Sequence, residues 1–77
     1  MRVKIVSAIG GEAWDMDVQP DMYVKQVKKE VAKKKNVPED VISIAFRGFQ
    51  VDEDQTLKEL GVEEGDKLYL IVRSPGG

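Results

Sequence analysis

Apolar and polar positions alternate along Arg2-Val3-Lys4-Ile5-Val6 and again along Trp14-Asp15-Met16-Asp17-Val18. A period of two over both runs predicts half-buried strands. Gly10-Gly11 between them supplies the positive φ values of a tight connection, so the two runs are expected to pair as a hairpin. In that hairpin Asp15 and Asp17 share the outer face with Arg2 and Lys4, where opposite charges across strands stabilise modestly. Trp14, Met16 and Val18 then turn inward.

Pro20-Asp21 breaks the alternation, and the period changes to that of a helix over Val24 to Lys35. Val24, Val27, Val31 and Ala32 form its apolar stripe, with lysines elsewhere. Tyr23 stands at the cap position, where Ser, Thr or Asp is usual; either Asp21 caps by reaching forward or the first turn is loose. Lysines at the far end suit the helix dipole, and Pro38 places the helix end before it. Val41 to Phe46 reads as a strand with Ile42 and Ile44 inward and Ser43 and Ala45 outward. Arg47-Gly48 is a turn, and Phe49-Gln50-Val51 a short return strand. Thr56 caps a brief helical turn, Leu57-Lys58-Glu59-Leu60, that Gly61 closes. The last run, Lys67 to Val72, sends Leu68 and Leu70 inward and Tyr69 and Ile71 outward. One helix on one face of a mixed sheet is an α+β architecture, with the last strand central and beside the first.

Length and composition narrow the class. A chain of 77 residues makes one small domain that buries roughly 60% of its unfolded surface. It contains neither Cys nor His, which removes a thiol nucleophile and the usual general base and metal ligand. No apolar run approaches the ~20 residues of a membrane span, and Met1-Arg2-Val3-Lys4 lacks the apolar segment of a secretory signal. A soluble, cytoplasmic protein is expected. The formal net charge of −2 conceals an asymmetry, because Lys25, Lys28, Lys29, Lys33, Lys34 and Lys35 crowd the helix while nine acids face four bases after Pro38. A lysine run on a helix is more often a solvated face than a nucleic-acid site. Asp52-Glu53-Asp54 lacks the glycine and spaced oxygen ligands of a calcium loop, so a solvated acidic loop is the better reading.

Past the last strand lies Arg73-Ser74-Pro75-Gly76-Gly77. Two glycines add nothing to a core, but without Cβ their backbone can enter a narrow channel. That suits a carboxylate activated inside another protein's active site. A frayed end is the alternative, and the tail by itself leaves both open.

The body of the chain adds a resemblance. Phe46, Gly48, Val51 and Asp52, then Thr56-Leu57-x-x-Leu60-Gly61-Val62 and Leu68-x-Leu70, resemble the ubiquitin family. Val18-x-Pro20, Val27-Lys28 and Val37-Pro38 fall at matching spacings, with one extra residue around Gly10-Gly11. The opening Lys4 to Gly11 and the Gly65-Asp66-Lys67 turn are most similar to archaeal ubiquitin-like modifiers. The resemblance covers essentially the whole chain and implies the β-grasp fold: a mixed sheet packed on one helix, with a flexible C-terminal tail. It divides the chain into a ubiquitin-like domain over 1–73 and an exposed conjugation tail over 74–77.

The function so implied is that of a protein modifier. An activating enzyme adenylates the Gly77 carboxylate with ATP, and a conjugating enzyme and ligase pass it to a target-protein lysine as an isopeptide. A deconjugating protease reverses the bond. The modifier catalyses nothing and binds no cofactor or metal itself; a monomer without nucleic-acid or membrane partners is expected. Gly76 and Gly77 match the family's reactive pair, and Arg73 matches its tail arginine, which engages the activating enzyme. Ser74 and Pro75 depart from the family's tail, and Pro75 stiffens it, so recognition there is expected to be specific to the chain's own enzymes. The family's apolar recognition patch maps onto Ile9 (or Ala8, given the extra residue), Ala45, Tyr69 and Ile71, with Phe49 adding aromatic area. The positions most associated with chain linkage carry Phe49 and Glu64, whereas Lys28 and Lys34 match acceptor positions. Lys28 adjoins the packed stripe and is expected to be partly hindered. The alternative is a β-grasp sulfur carrier whose tail becomes a thiocarboxylate, and a third reading is an interaction domain that is not conjugated.

Overall fold

The two alternating runs do pair, and their charges meet as the alternation requires. In this computed structural model, which describes residues 1–8 and 10–72, β1 (Arg2–Ser7) lies antiparallel to β2 (Ala13–Asp17). Arg2 stands opposite Asp17 and Lys4 opposite Asp15, with ion pairs at 3.3 and 3.5 Å. On the other side of β1, Val3 and Ile5 are buried. Trp14 and Met16 turn the same way but stay half-buried, because β2 is an edge of the sheet.

Helix α1 spans Val24–Lys35 and buries Val24, Val27, Val31 and Ala32, the stripe read from its periodicity. Its N-terminus corrects the expectation about Asp21: the side chain of Gln26 accepts a hydrogen bond from the Tyr23 N–H at 2.9 Å. The remaining orphan donors of the first turn find backbone carbonyls, Val24 N–H on Gln55 and Lys25 N–H on Glu53. The acidic loop therefore works as a cap, and its side chains return to the helix through Lys28–Glu53 at 2.9 Å and Lys25–Asp54 at 3.7 Å. Negative charge near a helix N-terminus is favourable. At the other end Asn36 adopts the left-handed conformation and its N–H reaches back to the last turn, a common helix C-cap.

After Pro38 the chain makes a 3-10 turn over Glu39–Val41, closed by Val41 N–H on the Pro38 carbonyl. Val41 thus belongs to this turn and not to the strand, which runs as β3 over Ile42–Phe46. Arg47 and Gly48, both at positive φ, form the two-residue turn into β4 (Phe49–Gln50), the geometry whose twist suits a hairpin. Helix α2 (Leu57–Leu60) is capped reciprocally by Thr56 and Glu59, and β5 (Lys67–Val72) completes the sheet.

The strand order is β2-β1-β5-β3-β4, with β5 parallel to β1 and antiparallel to β3. This is the expected β-grasp: α1 lies across one face of a mixed sheet, and β5 is central. Leu68 and Leu70 of β5 are fully buried with Ile5, Ile42, Val27 and Leu57 in one core. At about 25 cal/mol per Å² of apolar surface, that core is the main term holding the sheet's inner face to the helix. Among the described residues no second layer covers the outer face.

Candidate recognition surface

Strand register determines what the uncovered face presents. Alternation puts Lys67, Tyr69 and Ile71 of β5 on the side away from the core. Lys4 is the neighbour of Lys67 and Val6 that of Tyr69 on β1; Ala45 and Ser43 are the neighbours of Tyr69 and Ile71 on β3. A charged row, Lys4–Lys67, thus lies beside an apolar row, Val6–Tyr69–Ala45. Ala8 donates its N–H to the Leu70 carbonyl at 2.9 Å, which holds the end of β1 against β5. Ala8, Ala45, Arg47, Gly48, Tyr69 and Ile71 line a shallow cleft of about 560 Å³.

The structure brings three of the residues inferred from the sequence, Ala45, Tyr69 and Ile71, into that one cleft. Tyr69 and Ile71 are 40% and 38% exposed and are its large exposed hydrophobic side chains. Ala45 faces the cleft yet is only 7% exposed, and Ser43 is equally covered. β3 lies between β5 and β4, so its small side chains form the floor beneath longer neighbours. The expectation of an outward and accessible Ala45 is corrected in that respect.

Phe49 is placed differently. It pairs across the hairpin with Phe46, one register step from the Ala45–Gln50 pair, and successive positions of a strand face opposite ways. Its ring, 76% exposed, stands at the corner of the sheet and not among the cleft residues. Ile9 lies outside the described residues, and the cleft wall at that end is Ala8. Arg73, Pro75, Gly76 and Gly77 also lie outside them, immediately beyond the end of β5 at Val72.

The two acceptor candidates differ. Lys28 has a side chain 13% exposed, with Nζ held by Glu53 at 2.9 Å, which accords with the hindrance expected from its place beside the packed stripe. Lys34 is exposed, its Nζ 5.4 Å from the centre of the Trp14 ring, a cation–π distance. Sequence reasoning left Arg47 as an ordinary turn residue. Its positive φ of 54° brings a long cation to the rim of the cleft, where Asn, Asp or Gly is the usual choice. A long side chain in such a turn was the available signal.

Among the described residues no cluster of acidic side chains could hold a metal ion, and no helix is long and apolar enough to cross a membrane. Glu59 has a perturbed titration. Hydrogen bonds from the Thr56 backbone N–H and hydroxyl to its carboxylate hold its pKa below the ordinary value. That effect belongs to the α2 cap and not to the cleft.

Comparison with known proteins places these features in a family. The model of the ubiquitin family matches residues 2–75. Ubiquitin-like protein NEDD8 of Dictyostelium discoideum is 27% identical, covering 100% of this chain and 99% of its own. Ubiquitin-like protein 1 of Schizosaccharomyces pombe is 26% identical, with 100% and 97% covered. The ubiquitin domain-containing protein DSK2 of Saccharomyces cerevisiae is 24% identical over 97% of this chain, which spans 20% of that protein. Among solved structures, Caldiarchaeum subterraneum ubiquitin superposes with a TM-score of 0.90 at 37% identity, covering 100% of this chain and 98% of that one.

Proposed function

Because the chain belongs to the ubiquitin family, we propose that it is a ubiquitin-like modifier, joined through Gly77 to lysines of target proteins. In the first step the Gly77 carboxylate attacks the α-phosphorus of ATP on an activating enzyme, and pyrophosphate leaves. A cysteine thiolate of that enzyme displaces AMP to form a thioester, which a conjugating enzyme takes over by exchange. Attack by a neutral lysine amine, assisted by a ligase, then forms the isopeptide and releases the thiol. ATP is consumed by the activating enzyme and is not a resident cofactor here. The modifier supplies no catalytic group, and a deconjugating protease restores it. The domain over 1–73 provides the recognition face, the tail over 74–77 the reactive end, and the cytoplasm the setting.

The observation that supports this reading most is the end-to-end match to short relatives named as ubiquitin-like proteins, 97–99% of whose length the chain covers. The test is incubation with ATP and the activating enzymes of the source organism, followed by non-reducing electrophoresis. A thiol-sensitive thioester that disappears when Gly77 is deleted is expected; no thioester on any of them overturns the proposal. A Gly-Gly remnant on target lysines in cellular material would mark conjugation, whereas one carboxylate oxygen replaced by sulfur would mark a sulfur carrier. The match to one-fifth of DSK2 favours a second reading, a recognition domain that is not conjugated. Under it, deletion of Gly76-Gly77 leaves function intact.

A further inference from the structure

A second cleft adjoins the apolar one. Phe46, Arg47, Gly65, Asp66, Lys67 and Tyr69 enclose about 340 Å³, and Arg47 and Tyr69 are walls of both clefts. The Arg47 guanidinium lies 4.8 Å from the centre of the Phe46 ring, and neither it nor Lys67 has a carboxylate partner among the described residues. Lys67 is instead the direct cross-strand neighbour of Lys4. Lys4 is answered by Asp15 at 3.5 Å, whereas Lys67 has no ion-pair partner among the described residues. The acid lining the cleft, Asp66, accepts the Glu63 N–H at 2.9 Å through Oδ2 and so serves the loop.

Two local costs converge at this point. Like charges directly across a pair of strands are unfavourable, and a side chain at positive φ is strained where Asn or Gly would not be. With 14 acids against 12 bases in the chain, carboxylates are not scarce, yet the two cations beside the apolar cleft form no ion pair among the described residues. We propose that the second cleft is a carboxylate subsite of the recognition face. A partner segment seats an apolar side chain among Ala45, Tyr69 and Ile71 and sets a flanking Glu or Asp against Arg47 and Lys67. The planar guanidinium, already stacked on Phe46, is pre-organised to take a carboxylate. The aromatic walls exclude water on one side, which strengthens the pairing. This inference rests on the outer face being a recognition surface, and it does not require conjugation through the tail.

The test uses synthetic peptides built around a leucine, identical except that the flanking residues are Glu, Gln or Lys. Each is titrated into isotope-labelled full-length protein and followed by NMR. The Glu peptide is expected to move the amides of Arg47, Lys67 and Tyr69 and to bind about fivefold more tightly than the Gln peptide, a difference expected for two partly exposed charge pairs. Arg47→Gln/Lys67→Gln should remove that preference, and Arg47→Glu/Lys67→Glu should transfer it to the Lys peptide, an inversion that only a folded variant can show. Equal binding of the Glu and Gln peptides, still abolished by Tyr69→Ala, would overturn the carboxylate subsite and leave the apolar face standing. Failure of every peptide to perturb Tyr69 would overturn both.

Discussion

The outer face of the sheet has two halves built on opposite rules. At the β1–β2 end each cation meets an acid across the strands, Arg2 with Asp17 and Lys4 with Asp15. At the β5–β3–β4 end neither Arg47 nor Lys67 forms an ion pair among the described residues, and Tyr69 and Ile71 remain over a third exposed. The first half is complete within the chain. The second leaves charge and apolar surface unanswered, as a surface does when its complement is on another molecule. One sheet thus carries an edge whose charges are paired and a centre whose cations and apolar side chains are unpaired among the described residues. The difference arises from side chains alone, because the backbone ladder is continuous across both.

The most severe way to break the comparison is to change the opposite side of the same central strand. Leu70 is fully buried, so Leu70→Ala should cost about 2–5 kcal/mol in a denaturation experiment and take both halves with it. Tyr69→Ala, one residue away, should cost about 1 kcal/mol or less, since much of its ring is already in water, while abolishing peptide binding. Similar losses for the two would mean that Tyr69 is a structural residue and the second half is not a binding face.

A smaller loss should come from α2, which belongs to neither half. Thr56 Oγ1 accepts the Glu59 N–H at 3.1 Å, and Glu59 accepts from Thr56 in return. Thr56→Ala should cost about 1 kcal/mol without altering peptide affinity; a change in affinity would show that the face depends on the cap. The pH response has a definite sign. Hydrogen bonding to Thr56 lowers the folded pKa of Glu59, so its contribution is full above the unfolded pKa and is lost as pH falls through the lowered folded value. Glu59→Gln should remove that part of the acid response, and an unchanged acid limb of stability against pH would refute the assignment.

How much of this was legible in the sequence depends on what kind of contact made each feature. Period-two runs and the valine stripe of α1 gave the strands, the helix and their inward faces, because burial on one side writes itself into spacing. The pairing of Asp15 and Asp17 with Lys4 and Arg2 followed from the hairpin. Features created by distant segments did not. The first turn of α1 is capped by carbonyls of Glu53 and Gln55, some thirty residues on, and no local pattern announces that. Burial of Ala45 depends on what stands on β5 and β4. Arg47 was visible as a turn residue, but its place between two clefts emerges only when β5 lies beside β3.

Arg47 offers a sharper test because stability and recognition should move in opposite directions. An Asn-Gly turn relieves the strain at φ 54°, worth about 1 kcal/mol or more, but loses the stacking on Phe46, worth about 0.5 kcal/mol. Arg47→Asn should therefore stabilise the protein by about 0.5 kcal/mol while reducing the preference for the Glu peptide. A destabilised variant would mean that the stacking outweighs the turn, and that Arg47 is retained for the fold.

The smallest effects separate the halves by sign. Asp15→Asn removes the acid that answers Lys4 and should lower stability by roughly 0.2–0.5 kcal/mol. Lys67→Gln removes the unmatched partner of the Lys4–Lys67 pair and should raise it by a similar amount. Both changes retain a polar side chain of comparable length at an exposed or half-exposed position, so packing contributes little to either. Both should also vanish near 1 M salt, where the Debye length falls to about 3 Å, and a difference that survives would have to be assigned to packing. Opposite signs that collapse with salt are what a matched half and an unmatched half require. If Lys67→Gln instead lowers stability, Lys67 already has an electrostatic partner within the folded chain, and the two halves follow the same rule.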